Sequence, residues 1–489
     1  MFGVVAGYLA LFMWLALRRY EACLTQSGDT TLFECAFYNT LKGNLFWAFS
    51  TAGSYFESHP EPLLFLYIPL YALAPSPEMS IFLQTLCIAV SAIPVFLVGR
   101  KLLRNDAGAI CMAVAFLFFP SIIALTIGQV HTISFGLPFL MFSFYFFYEE
   151  NFWPYVITLA LVSLSKESFP LTAAMFAPYA LWQRRRWHWV ATSLVVPIGL
   201  LLFDLMIVRP HFAKGSQEYF ALQYFPGMGN SLGDFAKTLL TRPDLVAQRL
   251  FTARNALYLA MLLGAVAFFL PFLSKEAIFL VPELFLNLLS SNDGMKVVIY
   301  LYNCEVGAFL VIASLFTIVK LERRLRAMLG NGQYGVVLAG CVAILCLSNW
   351  WQWFNPSDYQ YDTLYETRQR AFTMIPPDDS LVAGPGQVLA HLAHRKLLAD
   401  PKMIAMFPDQ MFNYNWVFYD MNYQRPILGE YVPREQLMAY GTNTDYQVVF
   451  AENNIFVLRR KVPVPLDQVT PIRHINDELL LQKMRTQSR

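Results

Sequence analysis

The chain has 489 residues, of which 56% are hydrophobic and only 14% charged, whereas soluble domains carry about a quarter charged residues. Such an apolar surplus needs lipid around it. A net charge of +2 argues against nucleic acid as a partner, and seven cysteines without a C-x-x-C pair argue against a disulfide framework or a structural metal site.

Phe2 to Leu17 is apolar and runs into Arg18 and Arg19 with no cleavage site, which predicts an uncleaved first helix with its arginines snorkelling at the far end. A span needs about twenty mostly apolar residues. Ten further runs predict spans: Ile81 to Gly99, Ala107 to Thr126, Ile133 to Tyr148, Phe152 to Ser165, Phe169 to Trp182, Trp189 to Ile207, Ala256 to Leu273, Ala277 to Leu289, Val297 to Val319 and Tyr334 to Leu347. Lys and Arg prefer the cytoplasmic side of short loops. Arg100, Lys101 and Arg104, then Arg184 to Arg186, Lys275, and Lys320, Arg323, Arg324 and Arg326 fall on alternate loops. That register predicts about 11 transmembrane helices in a prokaryotic cytoplasmic (inner) membrane, with the N-terminus inside and the C-terminus outside.

The same register puts 18–80 and 209–255 outside as loops. Leu32, Phe33, Ala36, Phe37 and Leu41 recur at helical spacing, and Pro62 to Leu73, broken by Pro69, predicts a helix lying at the interface. The GMGNSLGDF stretch predicts a loop, followed by an amphipathic run to Leu250. From Trp350 the chain turns polar. Ser380 to Ala383, Tyr446 to Phe450 and Ile455 to Leu458 predict strands, Gln387 to Arg395 a helix, and Ala451 to Asn454 a hairpin turn. The expected fold is an all-α polytopic membrane domain over 1–349 with a small C-terminal α/β extracytoplasmic domain over 350–462. Residues 463–489 form a tail, extended and then helical.

Ionisable residues near the ends of apolar helices are costly unless they pair or work. Here they gather on the expected outer side. Asp29 and Glu34 follow Arg18 and Arg19, and Glu57, His59 and Glu61 alternate just before Pro62. His131 opens a later outer loop, Lys166 and Glu167 sit between two spans, and Tyr300, Tyr302, Asn303 and Glu305 interrupt the start of the Val297 run. Each has a plainer reading. Asp29 or Thr30 could cap a helix after Ser27 and Gly28, His131 could be an interfacial cap, and Lys166-Glu167 an ordinary turn. Glu305, two turns into an apolar run, fits a buried pair or a water-filled cavity better.

The run SHPEPLLFLYIPLYALAPSPEMSIFLQTLCIAVSAIPVFLVGRKLL, the segments VHTISFGLPFLMFSFYFFYEE and SKESFPL, and the tail motif MIPPDDSLVAG together resemble the DUF2079 family of prokaryotic membrane proteins. That family is similar in layout to GT-C glycosyltransferases. The resemblance implies a membrane glycosyltransferase acting with membrane lipid and a polyprenyl-phosphate sugar donor, transferring the sugar to an outer-face acceptor. Asp29 would be the base and Glu34 would position the acceptor or a metal. Lys166 would hold the departing phosphate, with His59 and His131 as hydrogen-bond donors, while Glu57, Glu167, Tyr300, Tyr302 and Glu305 would line the substrate cavity. GDTTLFECAFYNTLKG matches the family's first acidic segment loosely and no DxD is present, so the cofactor is unknown; a divalent metal is one possibility. The outer domain would serve as a lid or acceptor-docking surface. The rival reading is a transporter or flippase-like protein, which would commonly show an internal repeat; the sequence has none.

Overall fold

The computed structural model describes residues 1–25, 28–213, 220–350, 355–422 and 434–472. Among the described residues four helices are long and apolar enough to cross a membrane: Phe2–Glu21, Pro77–Leu103, Trp187–Phe212 and Leu301–Leu329. Their surroundings differ. Pro77–Leu103 and Leu301–Leu329 are 72% and 83% buried and form the centre of the bundle, whereas the other two are 22% buried. The outward faces of those two carry exposed Leu11, Trp14, Val195 and Met206, side chains suited to hydrocarbon.

The expected run Ala107 to Thr126 is two helices, Asp106–Leu117 and Pro120–Ile127, bent by 59°. Pro120 is the cause, because the residue before a proline is pushed out of the helical region and Phe119 has ψ 137°. The Phe169 to Trp182 run is likewise split, into Ser168–Ala174 and Phe176–Trp182. The Ala256 to Leu273 helix stops at Gly264, followed by Ala267 and Phe268 at positive φ. Val281–Leu289 follows a 3-10 turn, and shorter apolar helices cover Ile133–Tyr148, Phe152–Ser163 and Tyr334–Ser348. Beside the predicted count of eleven, four or five helices among the described residues have the length and composition of a span, and the others are shorter or broken.

The charge clusters share one end of this bundle. Lys101 pairs with Glu149, Arg185 with Glu150, and Lys320 Nζ donates to Leu273 O at 2.9 Å beside Lys275. At the other end, Gly28–Leu41 and the short helices Pro62–Leu66 and Ile68–Tyr71 pack beside the start of Pro77–Leu103.

Beyond the last apolar helix lies a five-stranded mixed sheet, ordered Leu398–Ala399, Leu381–Gly384, Trp416–Asp420, Ile455–Arg460, Tyr446–Glu452. The first three strands are parallel and the last two antiparallel to their neighbours. Asn453 and Asn454, both at positive φ, turn the final hairpin, a conformation Asn tolerates. The expected helix from Gln387 is a 3-10 turn, Gly386–Leu392. Of the tail, 473–489 and its predicted helix fall outside the described residues.

The sheet region is fastened to the bundle. His391 stacks on Tyr20 at 4.1 Å, Cys35 Sγ donates to Arg395 O at 3.2 Å, and Trp47 Nε1 donates to Lys396 O at 3.0 Å.

Candidate active site

Gly28–Leu41 starts one residue ahead of the expected cap, with Asp29 in its first turn, where the helix dipole favours a carboxylate. Ser27, the other half of that cap signal, lies outside the described residues. The Asp29 backbone N–H donates to Gln129 Oε1 at 2.6 Å, and Thr30 Oγ1 accepts from the Val130 N–H at 2.9 Å. Gln84 clamps the same loop from the central helix. Its Nε2 donates to Leu125 O and Gln129 O at 2.8 and 3.1 Å, and its Oε1 accepts from the His131 N–H at 2.8 Å. This fixes His131, whose Nε2 lies 3.3 Å from Lys166 Nζ.

Lys166 and Glu167 occupy the turn between Phe152–Ser163 and Ser168–Ala174. Glu167 Oε1 lies 3.1 Å from His59 Nδ1, the Lys166 ammonium sits 5.8 Å from the Tyr302 ring centre, and the Ser168 hydroxyl donates to Glu305. The structure therefore gathers Asp29, His59, His131, Lys166, Glu167, Tyr302 and Glu305 into one polar cluster, called the chamber below, at one end of the bundle. Glu305 is in the first turn of Cys304–Leu329, not two turns inside a helix, because the chain is a 3-10 turn until Asn303. Its Oε2 is buried without a hydrogen-bond partner.

The electrostatics are uneven. Burial raises the Asp29 carboxyl above its ordinary value, against the opposing pull of Lys166 and His59. Burial also raises Glu61, 1% exposed, whose Oε1 accepts from Tyr55 and Thr132 at 2.8 and 3.0 Å while Oε2 has no partner. Burial acts the same way on Glu167, but His59 and then Lys166 more than offset it and hold that carboxyl below its usual range. Burial, reinforced by Lys166 and His59, pushes His131 well down, so its ring is neutral. The Lys166 side chain thus stands within electrostatic reach of Asp29, Glu61 and Glu167, and of Glu283 and Glu305 as well.

Glu34 is elsewhere. Fully buried, it accepts from the Tyr71 hydroxyl, from Ser80 Oγ at 2.7 Å and from His394 Nε2 at 2.7 Å. Its oxygens face the sheet region and the short outer helices, while Asp29 faces Gln129, Lys166 and His59, so the two carboxylates do not form a pair. Glu57 is 7% exposed in the turn after Gly53, and the Tyr300 ring packs on Gly294. Among the described residues no three His, Cys, Asp or Glu side chains are placed to hold a metal ion.

Some neighbours were not singled out from sequence. Asp204, buried and opening a π turn in an otherwise apolar helix, lies within electrostatic reach of Glu61 and Glu167. Glu283 is buried on the same face of its helix as Asn287, whose Nδ2 donates to Tyr302 O at 3.0 Å. Both acids stand inside predicted spans, and a charge there is itself a signal. His394 carried no such local signal.

Three solved structures are similar in overall layout. ArnT from Cupriavidus metallidurans bound to undecaprenyl phosphate is 11% identical with a TM-score of 0.44, covering 94% of this chain and 99% of that one. The same protein in the apo state gives 11% and 0.48, covering 93% and 98%. The Archaeoglobus fulgidus oligosaccharyltransferase tethered to an acceptor peptide gives 12% and 0.40, covering 85% and 69%. No curated protein matches the chain. A family model described as a predicted membrane protein (DUF2079) matches residues 19–457, and the chain belongs to that family.

Proposed function

We propose that this protein is a membrane glycosyltransferase that moves a sugar from a polyprenyl-phosphate donor to a hydroxyl acceptor at the outer face of the cytoplasmic membrane. The observation that carries the reading is Asp29, a carboxyl with raised proton affinity at a helix start, in the field of the Lys166 ammonium and His59. A base is most effective when its pKa approaches the working pH. In this reading Asp29 accepts the acceptor's proton as its oxygen bonds to the anomeric carbon. The bond to the donor phosphate breaks, and Lys166 holds the phosphate as it departs with its electron pair.

His59 and Glu167 keep the Lys166 turn in place through their 3.1 Å contact. Tyr302, under Lys166, and Glu305 border the space for the sugar, while His131 offers a neutral ring. Glu34, with its oxygens already engaged, anchors the helix that bears Asp29. The topology that goes with this function is the one read from charge: eleven spans, the N-terminus inside, and the sheet region outside the cytoplasm on the side of the chamber.

The test uses purified protein and a polyprenyl-phosphate-linked labelled sugar. Release of polyprenyl phosphate with transfer of label, abolished by Asp29→Asn, supports the proposal. Full turnover by Asp29→Asn removes Asp29 as the base. Movement of unaltered substrate across sealed vesicles replaces the enzyme with a transporter.

A further inference from the structure

The Val281–Leu289 helix has two unlike faces. Glu283 and Asn287 turn inward toward the chamber, where Asn287 binds Tyr302 O at 3.0 Å. Val281, Leu284, Phe285 and Leu288 turn the other way and line a cavity of about 910 Å³. That volume lies in the range of ligand pockets, roughly 300–1,000 Å³. It extends from Leu250–Ala253 at the chamber end of the bundle to Trp182, Phe272 and Lys275 at the basic end. The walls are almost wholly apolar, and the 86% exposure of Phe251 marks one side as open to the surroundings.

A cluster of cations stands at the chamber end of this groove. Arg249 and Arg254 flank the lining residues Leu250 and Ala253, and Lys296 lies close to both. Arg254 pairs with Asp293, and Arg249 donates to the backbone at Leu289 O, 3.1 Å away, and at Pro226 O. Three positive groups therefore gather about one carboxylate. Burial and the two arginines together hold the Lys296 ammonium below its ordinary value, with Asp293 opposing. Bringing an anion to the cluster relieves this crowding.

We infer that this groove is a binding site for an anionic glycerophospholipid, its phosphate at Arg254 and Lys296 and an acyl chain along the Leu284 and Leu288 wall. A phosphate alone would leave the apolar groove unfilled, and a zwitterionic lipid would bring its own cation into the cluster. The Val281–Leu289 helix stands between the groove and Lys166, which sets this lipid apart from a donor reacting at Asp29. Basic residues beside apolar helix surfaces recognise anionic headgroups by the same chemistry. The inference does not depend on the transferase reading, because occupancy of the groove is measurable in a protein that transfers nothing.

Trp182 reports on the groove directly. The full-length protein in mixed micelles is titrated with phosphatidylglycerol or phosphatidylcholine carrying brominated chains, and the quenching lost in Trp182→Phe is taken as the groove signal. Phosphatidylglycerol should quench at a several-fold lower mole fraction than phosphatidylcholine. Arg254→Gln with Lys296→Gln should bring the two curves together. Lys296→Gln alone leaves the Arg254–Asp293 pair intact and should narrow the gap, which covers a double variant that fails to fold. Identical curves for the unaltered protein, or an unchanged preference in these variants, would overturn the inference. Displacement of phosphatidylglycerol by equimolar polyprenyl phosphate would also overturn it, assigning the groove to the donor.

Discussion

Glu34 gives the sharpest separation between a structural and a catalytic carboxylate. Its side chain is fully buried and accepts from three donors: the Tyr71 hydroxyl, Ser80 Oγ and His394 Nε2. Glu34→Ala strands the buried Ser80 hydroxyl and leaves the buried Tyr71 hydroxyl only a long 3.5 Å contact to His394 Nε2, and each buried donor left without an acceptor costs about 1–3 kcal/mol. His394, 27% exposed, can turn to water, so its share is smaller. The two buried donors together come to about 2–6 kcal/mol, which brackets the roughly 3–5 kcal/mol for breaking a buried pair by removing one partner. Glu34→Gln keeps the volume and one acceptor oxygen and should cost less than half of that. Thermal unfolding in detergent, followed by tryptophan fluorescence, should rank the proteins as unaltered, Gln, then Ala. Below the melting range, the Gln variant should keep most of its transferase turnover. An Ala variant within 1 kcal/mol of the unaltered protein would refute the satisfied-network argument; a fully stable Gln variant as inactive as Asp29→Asn would return Glu34 to the chemistry.

Asp29 must be ionised to act as a base, so its raised carboxyl predicts an acid limb in kcat/KM at a pH above the usual carboxylate range. Asp29→Asn should lower the rate by about 10²–10⁴; an acid limb at an ordinary carboxylate value would contradict the assignment. His391, stacked between Tyr20 and Phe372, is pushed down by burial to about 4. The folded state therefore holds it neutral while the unfolded chain protonates near 6.5, and stability should fall as pH drops from about 6.5 to about 4, by at most about 3 kcal/mol. His391→Phe should flatten that limb of a melting-temperature profile. Gly307→Ala would place a methyl 2.4 Å from Phe119 Cδ1, on a fully buried ring at the break between Asp106–Leu117 and Pro120–Ile127. Overpacking there should cost about 1–3 kcal/mol, read as a lower melting temperature than for Ala substitution at Gly340, which has open space.

What was legible in the sequence was what local chemistry writes. The final hairpin was visible because two asparagines between apolar runs suit a turn at positive φ, and Asn453 and Asn454 adopt it. The basic clusters predicted a common end because each sits in a short loop, and Lys101, Arg185 and Lys320 do meet neighbouring elements there. Pro120 offered a break signal that the apolar composition around it masked. The partners of Glu34 and Glu305 were beyond reach: Ser168 binds Glu305 across 137 residues and His394 binds Glu34 across 360. Such contacts follow from how helices stack, and neither period nor spacing encodes them.

The Gly28–Leu41 helix links the two halves of the structure. Its first turn presents Asp29 to Lys166 and His59, and its remaining turns bind the sheet region through Glu34, through Cys35 Sγ and through Asn39 Nδ2, which reaches Arg395 O at 3.1 Å. Arg395 itself is 2% exposed, with its guanidinium on Leu392 O and Asp379 O. A lid must open at little cost, and opening here would take His394 from the buried Glu34 carboxylate and both side-chain donors, Cys35 Sγ and Asn39 Nδ2, from Arg395 O, each buried group left unpaired costing about 1–3 kcal/mol. The 391–396 segment therefore acts as a fixed wall that sets where Asp29 stands. Any movement that admits substrate is better sought in elements that do not touch this helix, and a disulfide tying residue 38 to residue 394, whose rings stack at 4.2 Å, should leave turnover intact. If that crosslink stops turnover while a reducing agent restores it, the sheet region moves and the fixed-wall argument fails.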